Sequence, residues 1–231
     1  MQEYCGVEGD MVTVGKLPKM GENIRRSGED IAAGAEVLPV GIRLRPQEMG
    51  LAAAVGAASL LVYRKLKVAT FFTGDEIVMP GEPLKPGQIY NSNRFVLTGL
   101  LQALGCEVVD LGIVPDDFAA TVKVLEAAAA KADLIITSGG VSVGEEDHVK
   151  AAVEAVGKLD MWKIAIKPGK PLAFGEVGQV PFIGLPGNPV SAFVTFCLFV
   201  RPFILRSQGI TAAAPQAFSL KADFDWLKPD K

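Results

Sequence analysis

The sequence predicts an α/β fold: a mostly parallel sheet with helices on both faces, preceded by an incomplete N-terminal segment. Two observations predict it. From Lys65 onward, apolar runs of strand length alternate with amphipathic runs of helix length, the pattern of a parallel sheet covered on both sides. The apolar share is 49% of 231 residues, ample for the core such a sheet needs.

Residues 1–64 have a character of their own. Asp10 to Val14 is a short strand-like run, and Gly21 to Gly34 is charged and punctuated by glycine. Pro46 to Val55 reads as a short helix with proline in its first turn. These elements are too few for a complete domain. Residues 65–212 carry the alternation. Lys67 to Phe72 is a buried strand, and Asn93 to Leu104 a helix with Asn91, Ser92 and Asn93 as candidate caps. Strand Glu107–Leu111, helix Phe118–Ala130, strand Asp133–Thr137 and helix Asp147–Val156 follow. Met161–Ile166 and Val180–Ile183 read as strands, and Val190–Leu205 as a buried helix opened by Asn188 and Pro189. In residues 213–231 the alternation of Phe218 to Phe224 suggests the start of a further strand-rich domain.

Composition excludes several functions. A net charge of −3 argues against nonspecific nucleic-acid binding, which needs a basic excess. The 190–205 run contains Arg201 and Pro202 and is too short to span a bilayer, so no membrane is expected. Met1-Gln2-Glu3-Tyr4 has neither the basic start nor the apolar stretch of a secretory signal, and three scattered cysteines predict a reducing cytoplasm. His148 is the only histidine, which removes His-rich zinc sites and Ser-His-Asp catalysis. Chemistry must come from carboxylates, lysines, hydroxyls and backbone amides.

Ligands of open parallel sheets gather beyond the carboxyl ends of the strands, and five polar segments fall there. Thr73-Gly74-Asp75-Glu76 is either a solvated acidic turn or a Mg²⁺ site, since Mg²⁺ takes one or two carboxylates plus phosphate oxygens. Pro115-Asp116-Asp117 offers a helix cap, a metal ligand, or both. Thr137 to Asp147, with Ser138, Gly139 and Gly140, is a Gly-rich turn into a helix that suits an anion, and Asp147 adds a carboxylate. Lys163, Lys167 and Lys170 form a local cationic site in an acidic chain; Lys163 and Lys167 share a face if the strand continues. Gly184 to Ser191, with Pro186 and Pro189, is a rigid turn into a helix whose first amides are free. Together these suit a phosphate-bearing ligand bound with Mg²⁺.

These segments, with Gln88 to Asn93 and Gly21 to Ile31, resemble in order and spacing the MoeA-type molybdopterin molybdenumtransferases, relatives of the gephyrin E domain. The resemblance implies a molybdopterin-binding α/β domain over 65–212. Residues 1–64 would then be a remnant of elongated, β-rich N-terminal domains, and 213–231 the start of a truncated C-terminal β domain. It implies a cytoplasmic enzyme of molybdenum cofactor biosynthesis that takes adenylylated molybdopterin and molybdate with Mg²⁺, releases AMP and leaves molybdenum on the dithiolene. By the same resemblance Glu76, Asp116 and Asp147 form the metal and active-site cluster, and Lys163, Lys167 and Lys170 hold molybdate and phosphate. Thr73, Gly74, Asp75, Ser138, Gly139 and Gly140 line the pterin and phosphate pocket. Pro186, Pro189 and Ser191 border molybdate, and Asp30 is presented near the site. A homodimer is implied, supplied by a molybdopterin adenylyltransferase upstream.

Two departures qualify this. Relatives have more chain before Met1 and a full β-rich domain after Pro215, so this polypeptide is expected to be truncated at both ends. Phe72 stands where many relatives carry serine, with little effect expected. Two other readings stay open. A molybdopterin adenylyltransferase shares the fold but usually shows Gly-Gly-Thr-Gly where this chain has Gly139-Gly140-Val141-Ser142. A noncatalytic scaffold module would not need the acids and lysines.

Overall fold

The computed structural model describes residues 2–141 and 148–225. It divides into two compact units, Met1–Leu60 and Leu61–Lys231.

In the first unit β1 (Cys5–Glu8) and β2 (Met11–Val14) form an antiparallel hairpin with Cys5 opposite Val14. Gly9 supplies the left-handed turn residue at φ 58°. The sequence pattern predicts only the second of these strands. Helix α1 (Pro46–Ala54) opens with a two-point contact: the Glu48 carboxylate accepts from the Arg45 backbone N–H at 2.9 Å and from its guanidinium. That guanidinium is the main reason the Glu48 carboxyl is held down to about 2.

The second unit is a six-stranded sheet flanked by helices. In chain order it contains β3 (Lys67–Thr73), β4 (Ile77–Val78), β5 (Ile89–Tyr90), α2 (Ser92–Ala103), β6 (Glu107–Val114) and α3 (Phe118–Ala129). There follow β7 (Leu134–Ser138), α4 (His148–Val156), β8 (Gly157–Lys163), β9 (Pro171–Val177), β10 (Val180–Leu185), α5 (Pro189–Thr195) and α6 (Arg201–Ser207). The sheet order is β6-β3-β7-β10-β9-β8, while β4 and β5 pair separately. β6, β3, β7 and β10 run parallel; β9 is antiparallel to both its neighbours, so β8 points the same way as the parallel strands.

The central strands read as unbroken apolar runs because both faces are buried. Val68 and Phe72 of β3, with Leu134 and Ile136 of β7, face Leu97 and Leu101 of α2 and Phe196, Val200 and Ile204 of the last helices. Ala69, Phe71 and Ile135 face the other way, onto Leu125 and Ala128 of α3 and Val149, Ala152 and Val153 of α4. The period of two along each strand thus divides one apolar run between two cores. Each fully buried large side chain contributes roughly 1.5–3 kcal/mol.

Three expectations change. β8 begins at Gly157 and stops at Lys163 rather than running from Met161 to Ile166, and β9 forms where the sequence predicts no element. The Phe218–Phe224 alternation forms no strand. The C-terminal apolar run is a continuous helical rod, Pro189–Ser207, whose 19 residues are long and apolar enough by length and composition to cross a bilayer, against the shorter span expected. One stripe of it is core instead: Ala192 and Phe196 are 1% exposed, Val200 and Ile204 fully covered. Pro202 cannot donate within this rod, and a π-turn over Phe196–Val200, closed by Arg201 N–H on the Phe196 carbonyl, accommodates it.

Candidate functional site

The chain leaves β3 toward β6 over one face of the sheet, then crosses to β7 over the other face. β3 and β7 therefore flank the point where the strand order reverses, the position at which open α/β sheets present a crevice. Their carboxyl ends lie level: Thr73 pairs with Val114, Phe72 with Ser138, and Ser138 with Leu185. Lys163, ending β8, pairs with Pro171 at the start of β9, which places the 164–170 hairpin loop on the same rim. The described parts of the five sequence-predicted segments in this unit fall along that rim; residues 142–147 lie outside the described residues.

The acidic turn hangs from β3. Gly74 takes φ 142°, and the Glu76 carboxylate folds back over it, with Oε2 2.6 Å from where a Gly74 Cβ would begin. Asp75 and Glu76 are exposed, whereas Thr73 is buried. Backbone bonds from Ile89 N–H to the Glu76 carbonyl (2.8 Å) and from Asn91 N–H to the Val78 carbonyl (2.9 Å) tie this turn to the start of α2.

The two aspartates after β6 divide their roles. Asp117 caps α3, its Oδ1 accepting from Ala120 N–H at 2.8 Å. Asp116 is half-buried, and its backbone N–H donates to Asp75 Oδ1 at 3.4 Å, so the 73–76 and 115–117 turns lie side by side. Asp147, the third predicted acid, falls outside the described residues, as do the other residues of 142–147. Among the described residues no three carboxylates, thiols or imidazoles group as a metal site.

Gly139 and Gly140 pack directly on Thr73. A Gly140 Cβ would stand 2.5 Å from Val149 Cγ2 and 2.6 Å from Thr73 Oγ1. The Ser138 hydroxyl is buried and already engaged: it donates to the Pro186 carbonyl at 2.9 Å and accepts from Asn93 Nδ2 at 2.7 Å. Asn93 Nδ2 also donates to the Gly187 carbonyl at 2.8 Å. From sequence, Asn93 is only a candidate cap. The cap is Asn91, which accepts from Arg94 N–H at 3.1 Å. A signal for the other role was present: Asn93, Leu97 and Leu101 recur every four residues, so the polar residue lies on the core-facing stripe of α2.

The lysines do not share a strand face, because β8 ends at Lys163. Ile164 N–H instead bonds to the Lys170 carbonyl at 3.0 Å and closes a loop, with Lys163, Lys167 and Lys170 all exposed. Gly169, at φ 116°, is buried beneath it, where a Cβ would meet Thr195 Cγ2 at 2.6 Å. The lysine loop therefore rests on α5. Asn188 caps that helix through Val190 and Ser191 N–H, Pro189 opens it, and Ser191 is buried with its carbonyl accepting from Thr195. Pro186 is buried as well. Asp30 belongs to the first unit, exposed and 3.4 Å from Arg25.

Fold and rim define the class: an open α/β protein with acidic, glycine-rich and cationic loops on one carboxyl edge of its sheet. Residues 69–206 match the family described as a probable molybdopterin binding domain, and the chain belongs to that family. Residues 1–56 match the MoeA N-terminal region, domains I and II. A molybdopterin molybdenumtransferase of Haemophilus influenzae is 52% identical over 210 residues, covering 90% of this chain and 52% of that protein. Molybdopterin molybdenumtransferase 2 of Mycobacterium tuberculosis is 42% identical, covering 87% and 51%. A crystal structure of the molybdopterin biosynthesis MoeA protein of Pyrococcus horikoshii superposes with a TM-score of 0.73 at 35% identity, covering 90% of this chain and 52% of that one. The chain thus spans about half the length of the relatives it matches.

Proposed function

We propose that the protein transfers molybdenum from molybdate to the dithiolene of adenylylated molybdopterin with release of AMP, the ligand lying over the β3–β7 switch point. The observation that carries this is the meeting of the acidic turns, the Gly139-Gly140 turn and the lysine loop on one rim. The names of the relatives at 52% and 42% identity support the transfer of molybdenum to molybdopterin, and the adenylylated substrate and AMP release follow from the resemblance.

In this reading Glu76, Asp116 and Asp147 hold Mg²⁺. Two carboxylates on adjacent turns, completed by ligand phosphate oxygens and water, fit that ion's preference for oxygen donors. An Mg²⁺ ion held there would neutralise charge on the phosphoanhydride. Lys163, Lys167 and Lys170 attract molybdate and phosphate as compact cations. Thr73, Gly74, Asp75, Gly139 and Gly140 shape the pocket wall, where glycine lets backbone amides approach an anion. Ser138, Pro186 and Ser191 act from within the fold, and exposed Pro189 opens α5, together holding the loops that border the ligand. Because the substrate arrives already adenylylated, an adenylyltransferase acts upstream. We place the protein in the cytoplasm as a homodimer.

The test is molybdate- and Mg²⁺-dependent AMP release from adenylylated molybdopterin by the full-length protein. Glu76→Gln and Lys167→Ala each reduce it at least tenfold. Unchanged AMP release in both variants refutes the site. Synthesis of the adenylylated species from ATP instead identifies an adenylyltransferase.

A further inference from the structure

We propose that Asn93 is a positioning residue of this site, holding the 138–140 turn and the 186–187 turn at a fixed separation. The inference rests on the reading above for what the turns bind, but its geometry stands on the bonds alone.

The hydrogen-bond network has one consistent orientation. The Gly187 carbonyl only accepts, so the atom 2.8 Å from it must be the amide nitrogen of Asn93. The Ser138 hydroxyl spends its proton on the Pro186 carbonyl at 2.9 Å, so it must accept from Asn93 at 2.7 Å. Both protons of one amide group are thus used, one on each turn. Asn93 is 8% exposed, and its Oδ1 has no partner among the described residues. A buried, half-satisfied amide carries a desolvation cost that an apolar residue on this stripe would avoid. What the amide supplies in return is the link between turns that lie 45 and 94 residues away in sequence. Asn93 is itself anchored to the acidic turn, through the pairing of β4 with β5 and the Asn91 cap. One side chain therefore ties two ligand-facing turns to the helix whose start carries the acidic turn.

The test compares full-length wild type with Asn93→Ala and Asn93→Asp, the latter keeping size while losing both donors. Asp133→Ala, at the opposite edge of the sheet, controls for general loss of stability. Amide hydrogen exchange is expected to quicken at least tenfold at Gly139, whose N–H bonds the Leu185 carbonyl, and at Ser191, whose N–H bonds Asn188 just after the 186–187 turn, in both Asn93 variants and not in the control. AMP release is expected to fall about 10- to 100-fold in kcat, with KM changed less than threefold, as for a misplaced site. Exchange at Gly139 and Ser191 no faster than in the control overturns the proposal. So does faster exchange with unchanged kcat, which reduces Asn93 to a structural role. If wild type releases no AMP, the functional reading fails, and the exchange arm alone decides whether Asn93 holds the turns.

Discussion

A side chain on Gly139 would begin within the contact radius of the Thr73 carbonyl oxygen, so the turn after β7 lies directly against the end of β3. This closeness is what makes the switch point a narrow rim. Gly139 has φ 97°, and Gly81 has φ 98° with nothing within 4 Å of its absent side chain. The pair separates backbone strain from crowding. Gly81→Ala is expected to cost about 1 kcal/mol in urea unfolding, from strain alone. Gly139→Ala should add about 1–3 kcal/mol of crowding, because backbone cannot swing aside as a flexible side chain can. Equal costs would show that the Thr73 contact is relaxed in solution.

Phe72 shows how a position beside the site can be core. It is 1% exposed and faces the cluster built by α2 and the C-terminal rod. Phe72→Ser, the residue that the resemblance assigns to many relatives, is expected to destabilise this chain by about 3–5 kcal/mol, the cost of a cavity where an aromatic ring packed. The urea midpoint measures it. A loss below about 1 kcal/mol would mean that the neighbouring side chains close the gap.

At the opposite edge, Asp133 binds the Arg64 guanidinium at 2.6 and 2.7 Å and accepts from Lys67 N–H at 2.8 Å. Arg64 first, then the Lys67 amide, hold its carboxyl down to about 2 from 3.8, against the opposing effect of burial. The folded state therefore prefers the ionised form. Its contribution is full above the unfolded value near 3.8 and is lost as pH falls through about 2. Asp133→Asn is expected to lower stability at pH 7 by about 1 kcal/mol, after allowing for solvent screening of an exposed partner. The gap from wild type should narrow between pH 4 and pH 2 in urea titrations. A gap that widens toward low pH contradicts the assignment.

The legible parts of this molecule were those whose signal is local. β3 and β7 announce themselves as apolar runs because both faces are buried, and α2 and α3 by helical spacing with an Asn or Asp cap. β9 was not legible. Its Pro-Leu-Ala-Phe-Gly-Glu-Val sequence mixes small, polar and apolar residues, and what makes it a strand is pairing on both sides. Gly157 and Gly175 sit so close to the facing backbone that a Cβ at either would collide with a carbonyl, a constraint visible only once β8 and β9 are paired. The Phe218–Phe224 alternation failed for the converse reason: period-two patterning makes a strand only where a partner edge is present. The rim segments were found by type and position after strands. Asn93 was missed because its importance lies in two long-range bonds.

Asp116 and Asp117 are adjacent acids whose consequences can be separated. Asp117 accepts the Ala120 N–H at 2.8 Å, and its own carbonyl accepts from the Thr121 hydroxyl at 2.8 Å, so its side chain works as the cap of α3. Asp117→Ala is expected to cost about 1 kcal/mol in stability, as for other lost caps, with kcat/KM for AMP release within twofold of wild type. Asp116→Asn keeps shape and removes charge. It is expected to leave the urea midpoint nearly unchanged while lowering kcat/KM about 10- to 100-fold and raising the Mg²⁺ concentration needed for half-maximal rate, as for loss of a metal-facing group. Measured on the full-length protein, the two variants should move stability and turnover in opposite proportions. If Asp117→Ala instead abolishes turnover at unchanged stability, the carboxylates have exchanged roles and the metal belongs one residue further along the chain.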